Sequence, residues 1–462
     1  MKRTTLLIIS VFISILSFAQ AKYIFYFIGD GMGTNQVLST EMYLAELEGR
    51  IGRKQLLMTQ FPYSGQVSTF SASNGITDSS AAGTCLATGT KTNNGTLGLT
   101  PDKDTLRTVA EILKERGYGI GIMTTVTIDH ATPAAFYAKV PNRDMYYQIG
   151  TQLAHSDFDF FGGAGFHQPV NKDKKKAPNL YDLCEKQGYT IAHGYADAQN
   201  KLDAPKLLMV QEDEGIDRTK KAECLTYAID RQENALTLRQ IVSTAIPFLE
   251  KKHDRFFMMV EGGMIDYASH GQDGATAIGE TIDMNEALEI AYKFYREHPD
   301  ETLIVVTADH ETGGMALGNG GYVLNLQVLQ NQHCSAWVLS DQLSQMFKEQ
   351  TPSWQDVKEY FGRQLGFYNQ VEITEEENAQ LYELYNQAVA HKDGKVETMY
   401  KSMNQLSNAA LALINKKAKL GWTSHDHTAH AVPVFAIGVG AERFTGWHDN
   451  TEIAPLILKA AQ

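Results

Sequence analysis

Short apolar runs, rich in β-branched and aromatic residues and each closed by Gly or an acid, recur along the chain. They are KYIFYFIGD (22–30), GIGIMTTVT (119–127), FDFFGG (158–163), RFFMMVEGG (255–263), TLIVVTADHE (302–311) and VPVFAIGVG (432–440). Runs of four to nine such residues predict buried strands. Between them lie longer stretches with helical spacing. DTLRTVAEILKERG (104–117) ends on a helix-stopping Gly, and 233–252 and 274–298 are longer still. Strand and helix alternate, so the pattern predicts an α/β fold: a mostly parallel central sheet covered by helices on both faces.

From about 316 to 420 the rhythm breaks. The segment is polar, rich in Gln and Asn, and mostly helical in pattern, as in EEENAQLYELYNQAVA (375–390). Lying between two core strands, it reads as a helical insertion or cap on a catalytic domain spanning 22–462. KDKKK (172–176) reads as a solvated loop.

The start of the chain reads differently. Lys2 and Arg3 precede an apolar stretch, Leu6–Phe18, too short to span a bilayer well, and then Ala19-Gln20-Ala21. This is the pattern of a secretory signal peptide over 1–21, with cleavage expected after Ala21. No later segment has the apolar length of a membrane span, so a periplasmic or extracellular protein is expected. The chain has 462 residues and a formal net charge of −13, which argues against a nucleic-acid-binding role. An anionic substrate would then need local positive charge from metals or arginine. Of the four cysteines, Cys184 and Cys224 are the expected disulfide pair and Cys85 a small buried residue.

Three predicted strands end in acids. The first ends at Asp30. The fourth ends at Glu261 and is followed by Asp266 and His270. The fifth ends in Asp309 and His310. A carboxylate at the end of a buried strand is costly unless paired or metal-bound, and ligands in open α/β sheets bind beyond the strands' carboxyl ends. Any one such acid is more often a cap or ion-pair partner, but three together point to one divalent-metal site. Asp266 and His270, four apart, share a face if helical. ITDSSAAGT (76–84) offers a serine that a metal can activate, at the start of a helix of small residues with room for an anion. The alternative for that stretch is close helix packing. Thr132, before Pro133, reads on its own as a helix N-cap, a role that leaves it free to ligate as well.

With these residues in view, the chain resembles the alkaline phosphatases. The motifs that carry the resemblance are IGDGMG (28–33), TDSSAAGTCLATGTKTNNGTLG (77–98), HATPAAFYAKVPNR (130–143), VEGGMID (260–266), TADHE (307–311) and GWTSHDHTAHAVPVFAIG (421–438), all in the family's order. The resemblance implies a phosphate monoesterase with two zinc ions and one magnesium ion, a phosphoserine intermediate and a homodimeric assembly. It implies Ser79 as nucleophile and Arg143 as phosphate clamp. Asp309 and His310 would complete one zinc site, with Asp30 bridging it to magnesium. Asp266 and His270 would hold the other zinc with a later histidine, His427 by context, with His425 and His430 as competitors. Glu261 and Thr132 would complete the magnesium site. His130, beside the substrate, stands where some members carry Asp, and Tyr267 stands where others carry Lys or His. The rival readings are a phosphodiesterase or sulfatase of the wider superfamily, and a metal- or phosphate-binding protein without turnover.

Overall fold

The computed structural model describes residues 20–172, 176–211, 218–391 and 394–462. The signal-peptide reading therefore falls almost wholly outside the described residues, as does most of KDKKK. Ala21 is described and belongs to the fold. It is fully buried, its N–H donates to Ala460 O at 2.8 Å, and its carbonyl accepts the Tyr118 hydroxyl at 2.6 Å.

Among the described residues, ten strands form one sheet. Eight come first in the chain: β1 (Tyr23–Gly29), β2 (Tyr63–Ser68), β3 (Gly119–Thr124), β4 (Phe160–Gly163), β5 (Tyr189–His193), β6 (Lys206–Val210), β7 (Phe256–Gly262) and β8 (Thr302–Ala308). The strands Val432–Gly438 and Gly446–Asp449 complete it. The centre runs β8-β1-β7-β3-β4-β6-β5, all parallel. Val432–Gly438 runs antiparallel between β8 and β2, so this predicted strand leaves the parallel pattern. Four strands were not expected: β2, β5, β6 and Gly446–Asp449. β2 (YSGQVS) and Gly446–Asp449 (GWHD) lie toward one edge and keep polar, partly exposed positions, so they lack the continuous apolar run of a central strand.

Register explains why the acids converge. Gly29 at the end of β1 pairs with Gly262 on one side and Ala308 on the other, while Thr124 pairs with Glu261. Asp30, Glu261 and Asp309 therefore emerge at one level of the sheet, at the carboxyl ends of adjacent parallel strands. Gly31 makes the turn after Asp30 at φ +72, where a Cβ would stand 2.9 Å from the Asp266 Cα. A side chain there would be both strained and blocked by the site itself.

The segment from 316 onward departs and returns through one short antiparallel pair, Ala316–Leu317 against Leu420–Gly421. Between them, among the described residues, lie four helices of 12 to 15 residues, Ala336–Glu349, Trp354–Leu365, Glu375–Val389 and Gln405–Ala418. A hairpin, Lys395–Glu397 with Ser402–Asn404, precedes the last of them.

All four cysteines are free thiols, which corrects the expected Cys184–Cys224 disulfide. Cys184 sits buried on helix Leu180–Lys186, which packs against β5 at the far edge of the sheet. Cys224 is held elsewhere, by a bridge to Val126 just beyond β3.

Candidate functional site

Four acids, Asp30, Glu261, Asp266 and Asp309, are fully buried at the ends of the central strands. Asp266 and His270 sit on helix Met264–His270, directly after β7, and their facing atoms, Oδ1 and Nε2, are 3.3 Å apart. His427 arrives on a two-residue strand paired with Glu311–Thr312. Its Nδ1 is bonded to Thr77 O at 2.9 Å, which turns Nε2 toward His270 Nε2 at 3.1 Å and Asp266 Oδ1 at 3.7 Å. His425 instead spends Nδ1 on the His270 carbonyl, and His430 is exposed beside Glu311. Of the three competing histidines, His427 is the one in the cluster.

A second group surrounds His310. Its Nε2 lies 3.3 Å from Asp30 Oδ1, 3.3 Å from Asp309 Oδ2 and 3.2 Å from Ser79 Oγ. One ring N–H cannot serve three partners. Ligands about 2.0–2.1 Å from a tetrahedral ion stand roughly 3.3 Å from one another, and that is the spacing in both groups. Asp266, His310 and His427 also cluster, because the His310 and His427 rings stack at 3.6 Å. The contacts of His310 to Asp30 and Asp309 assign it to the second group.

The third group joins Asp30, His130 and Glu261. Thr132 Oγ1 donates to Asp30 Oδ2 at 3.3 Å, so the Asp30 carboxylate faces this group with one oxygen and His310 with the other. Thr132 is not a cap. It lies inside helix Ala131–Ala134, at whose N-cap stands His130. Thr124 donates to Glu261 Oε2.

The electrostatics point to missing positive charge. Burial and the neighbouring acids push the carboxyls of Asp30 and Asp309 well above their ordinary range, and burial lifts Glu261 to about 7. Asp266 goes the other way: burial opposes its charge, but the adjacent His270, through its charge and hydrogen bond, outweighs it. His310 and His130 are held neutral, chiefly by burial. Asp30 Oδ1, Asp309 Oδ2, Glu261 Oε1 and His130 Nδ1 are buried and have no hydrogen-bond partner. Unsatisfied buried acids are expensive, and divalent cations bound among them remove that cost. The donor sets fit: two groups of mixed nitrogen and oxygen donors, and one richer in oxygen.

Ser79 is the first residue of helix Ser79–Thr88, whose N-cap is Asp78. Ser80 Oγ donates back to Asp78 Oδ2 at 2.5 Å, so Ser79, with Oγ 3.2 Å from His310 Nε2, is the serine facing the acid and histidine groups. The helix is also packed tightly: a Cβ on Gly83 would meet Ala135 Cβ at 3.1 Å. Its small residues thus serve close packing as well. Gly89 ends it at φ 74. Arg143 is 8% exposed, with Nη1 3.3 Å from Asp78 Oδ2 and Nη2 3.2 Å from His130 Nε2. Its guanidinium stays charged, because the adjacent Asp78 carboxylate offsets burial.

Three partners of this site were not singled out in the sequence. Asp78 orients Arg143, although it stands inside a quoted motif. Thr312 donates to Asp266 and touches His310 Nδ1 at 3.3 Å. Tyr400, from the insertion, donates to Asp266 Oδ2 at 3.0 Å. Nothing in the local sequence ties Tyr400 to a residue 134 positions away.

A family model described as "Alkaline phosphatase" matches residues 21–186 and 215–462. Alkaline phosphatase 4 of Bacillus subtilis is 30% identical over 451 residues, covering 96% of this chain and 89% of that protein. Among solved structures, the cold-active alkaline phosphatase of a psychrophilic Shewanella superposes with a TM-score of 0.78 at 28% identity, covering 95% of this chain and 99% of that one. That of Thermus thermophilus gives 0.77 at 26% identity, covering 99% and 95%.

Proposed function

The chain belongs to the alkaline phosphatase family of phosphomonoester hydrolases, and we propose that Ser79 is its nucleophile and Arg143 its phosphate clamp, at a site for two zinc ions and one magnesium ion. The observation that carries this reading is the convergence of Ser79 Oγ and Asp30 Oδ1 on His310 Nε2 at 3.2 and 3.3 Å. Asp309, His310 and Asp30 would hold one zinc. Asp266, His270 and His427 would hold the other. Asp30, Glu261 and Thr132 would hold magnesium, with His130 beside it. Bound there, the ions lower the pKa of the serine hydroxyl and stabilise charge on the attacking and leaving oxygens.

The protein's own groups do the rest. Arg143, fixed from behind by Asp78 and His130, has N–H groups left to fork onto two phosphoryl oxygens. Ser79 Oγ attacks phosphorus in line, the P–O bond to the alcohol breaks, and the phosphoryl group rests on Ser79. Water then cleaves the phosphoserine and frees inorganic phosphate. Export through the N-terminal leader and a homodimeric assembly complete the reading. Among the described residues, no helix is long and apolar enough to cross a membrane.

The test is phosphate release from an aryl monoester and the matching diester at alkaline pH, with zinc and magnesium supplied. Fast monoester and slow diester hydrolysis, lost in Ser79→Ala, supports the reading. Preference for the diester would place the site in another branch of the superfamily. Turnover of neither would leave a binding protein.

A further inference from the structure

Beside Arg143 opens a cavity of about 500 Å³ with one aromatic side, made by Tyr146, Tyr267, Trp337 and Tyr400 with Met399, and one polar side, which includes Asn142, Asp144, His167, Lys221 and Glu223. That volume exceeds what a phosphoryl group needs. A cavity of about 150 Å³ already accepts a benzene ring, so this one has room for a ring as well. Two of its walls come from the insertion. Trp337 lies on helix Ala336–Glu349, and Met399 and Tyr400 form the tip of the 395–404 hairpin.

The tip is built rather than loose. Thr398 Oγ1 donates to Lys401 O at 2.7 Å and accepts from Lys401 N at 3.2 Å. Lys401 pairs with Asp341 and lies over the Trp337 ring at 5.3 Å. Asn404 N donates to Ser340 Oγ at 2.7 Å. The hairpin is thereby moored along helix Ala336–Glu349. Tyr400 stacks on Tyr267 at 3.7 Å between centroids and 26° between planes, and Tyr267 lies 5.8 Å from Trp337. Tyr400 also meets His270 edge-on at 5.3 Å. The position after Asp266 thus carries an aromatic face, and the insertion builds a wall on it.

We propose that this cavity is a leaving-group subsite that selects monoesters of aryl and arylalkyl alcohols. The proposal rests on the phosphomonoesterase reading, since Arg143 at the cavity floor fixes the phosphoryl group and so sends the alcohol toward the rings. A flat ring gains stacking and dispersion there that a short alkyl chain does not. Met399 adds a polarisable thioether at the ring edge.

The test compares 2-phenylethyl phosphate with n-propyl phosphate, whose alcohols are similarly poor leaving groups, so bond breaking contributes little to the difference. The zinc- and magnesium-loaded enzyme should favour the phenylethyl ester by about tenfold in kcat/KM, mainly through KM, as one well-formed aromatic contact allows. Calorimetry with the corresponding non-hydrolysable phosphonates should give the same order without turnover. Trp337→Ala and Met399→Ala should each bring the ratio toward one, and Met399→Ala should leave n-propyl phosphate hydrolysis within about twofold. Met399 is exposed at the hairpin tip, so its truncation spares the fold. A wild-type ratio near one, with both esters hydrolysed, overturns the subsite and leaves the phosphomonoesterase reading intact. A ratio unchanged in both variants overturns the assignment to these walls. Hydrolysis of neither ester overturns the reading on which the proposal stands.

Discussion

Arg143→Lys isolates the planar fork from the charge. The guanidinium has five N–H donors, of which one bonds Asp78 and one faces His130. Three remain for phosphoryl oxygens. A lysine keeps the positive charge, but its ammonium is a single point on a flexible stem. It cannot hold Asp78 and two phosphoryl oxygens with the same parallel geometry. One charge-assisted hydrogen bond should therefore be lost, a cost of about 1.5–3 kcal/mol. That corresponds to a fall of roughly 10- to 150-fold in kcat/KM for an aryl monoester. Inhibition by inorganic phosphate should weaken by a similar factor. Folding should be little affected, because Asp78 keeps the N–H groups of Ala81 and Gly95 and the Ser80 hydroxyl. Steady-state kinetics, phosphate inhibition and a melting curve on the same preparation settle the matter. A kcat/KM within about threefold of wild type, with unchanged phosphate inhibition, would refute the clamp.

Three other outcomes follow from the structure. Chelation should abolish turnover and lower the melting temperature, with zinc plus magnesium restoring both; elemental analysis of the loaded enzyme should find two zinc and one magnesium per chain, and a different count would revise the ligand groups. On helix Gly274–Glu297, burial and then Asp283 raise the Glu280 carboxyl to about 8. Its contribution to stability is present below the ordinary carboxylate range and is lost as pH rises through about 8, so Glu280→Gln should raise the melting temperature relative to wild type above pH 8 and change it least in mild acid. An equal shift at both pH values would contradict this. Sequencing the N-terminus of the secreted protein should find Lys22 first, as the Ala19-Gln20-Ala21 pattern directs; an intact leader would contradict this.

The central sheet was legible because β1, β3, β7 and β8 are buried on both faces and read as unbroken apolar runs. Their terminal acids stood out against that background, and register then did the converging. The peripheral strands were not legible for the converse reason. β2 alternates weakly, β5 (YTIAH) mixes polar with apolar residues, and β6 (KLLMV) is an apolar run with neither a Gly nor an acid directly after it. Motif context pointed to His427, but only the fold shows why His425 and His430 drop out: one is turned to a backbone carbonyl and the other to solvent. Thr132 on its own read as a cap, and the fold shows otherwise: His130 takes the N-cap position and the Thr132 hydroxyl bonds Asp30. The cysteine pairing failed because sequence spacing says nothing of which end of a sheet each residue reaches. Tyr400 was invisible for a related reason. Its partner Asp266 is reached through the path of the whole insertion, which no local pattern encodes.

The pair Ala316–Leu317 and Leu420–Gly421 has a consequence for how such an enzyme can change. The excursion leaves the core and rejoins it at adjacent points, so residues can be gained, lost or exchanged within it without rethreading any strand of the large sheet. The acids, Ser79 and Arg143 all lie outside it. Mutation can therefore explore new alcohols through Trp337 and Met399 while the bond-breaking apparatus stays under separate selection, and lineages descending from one catalyst can diverge in diet before they diverge in chemistry.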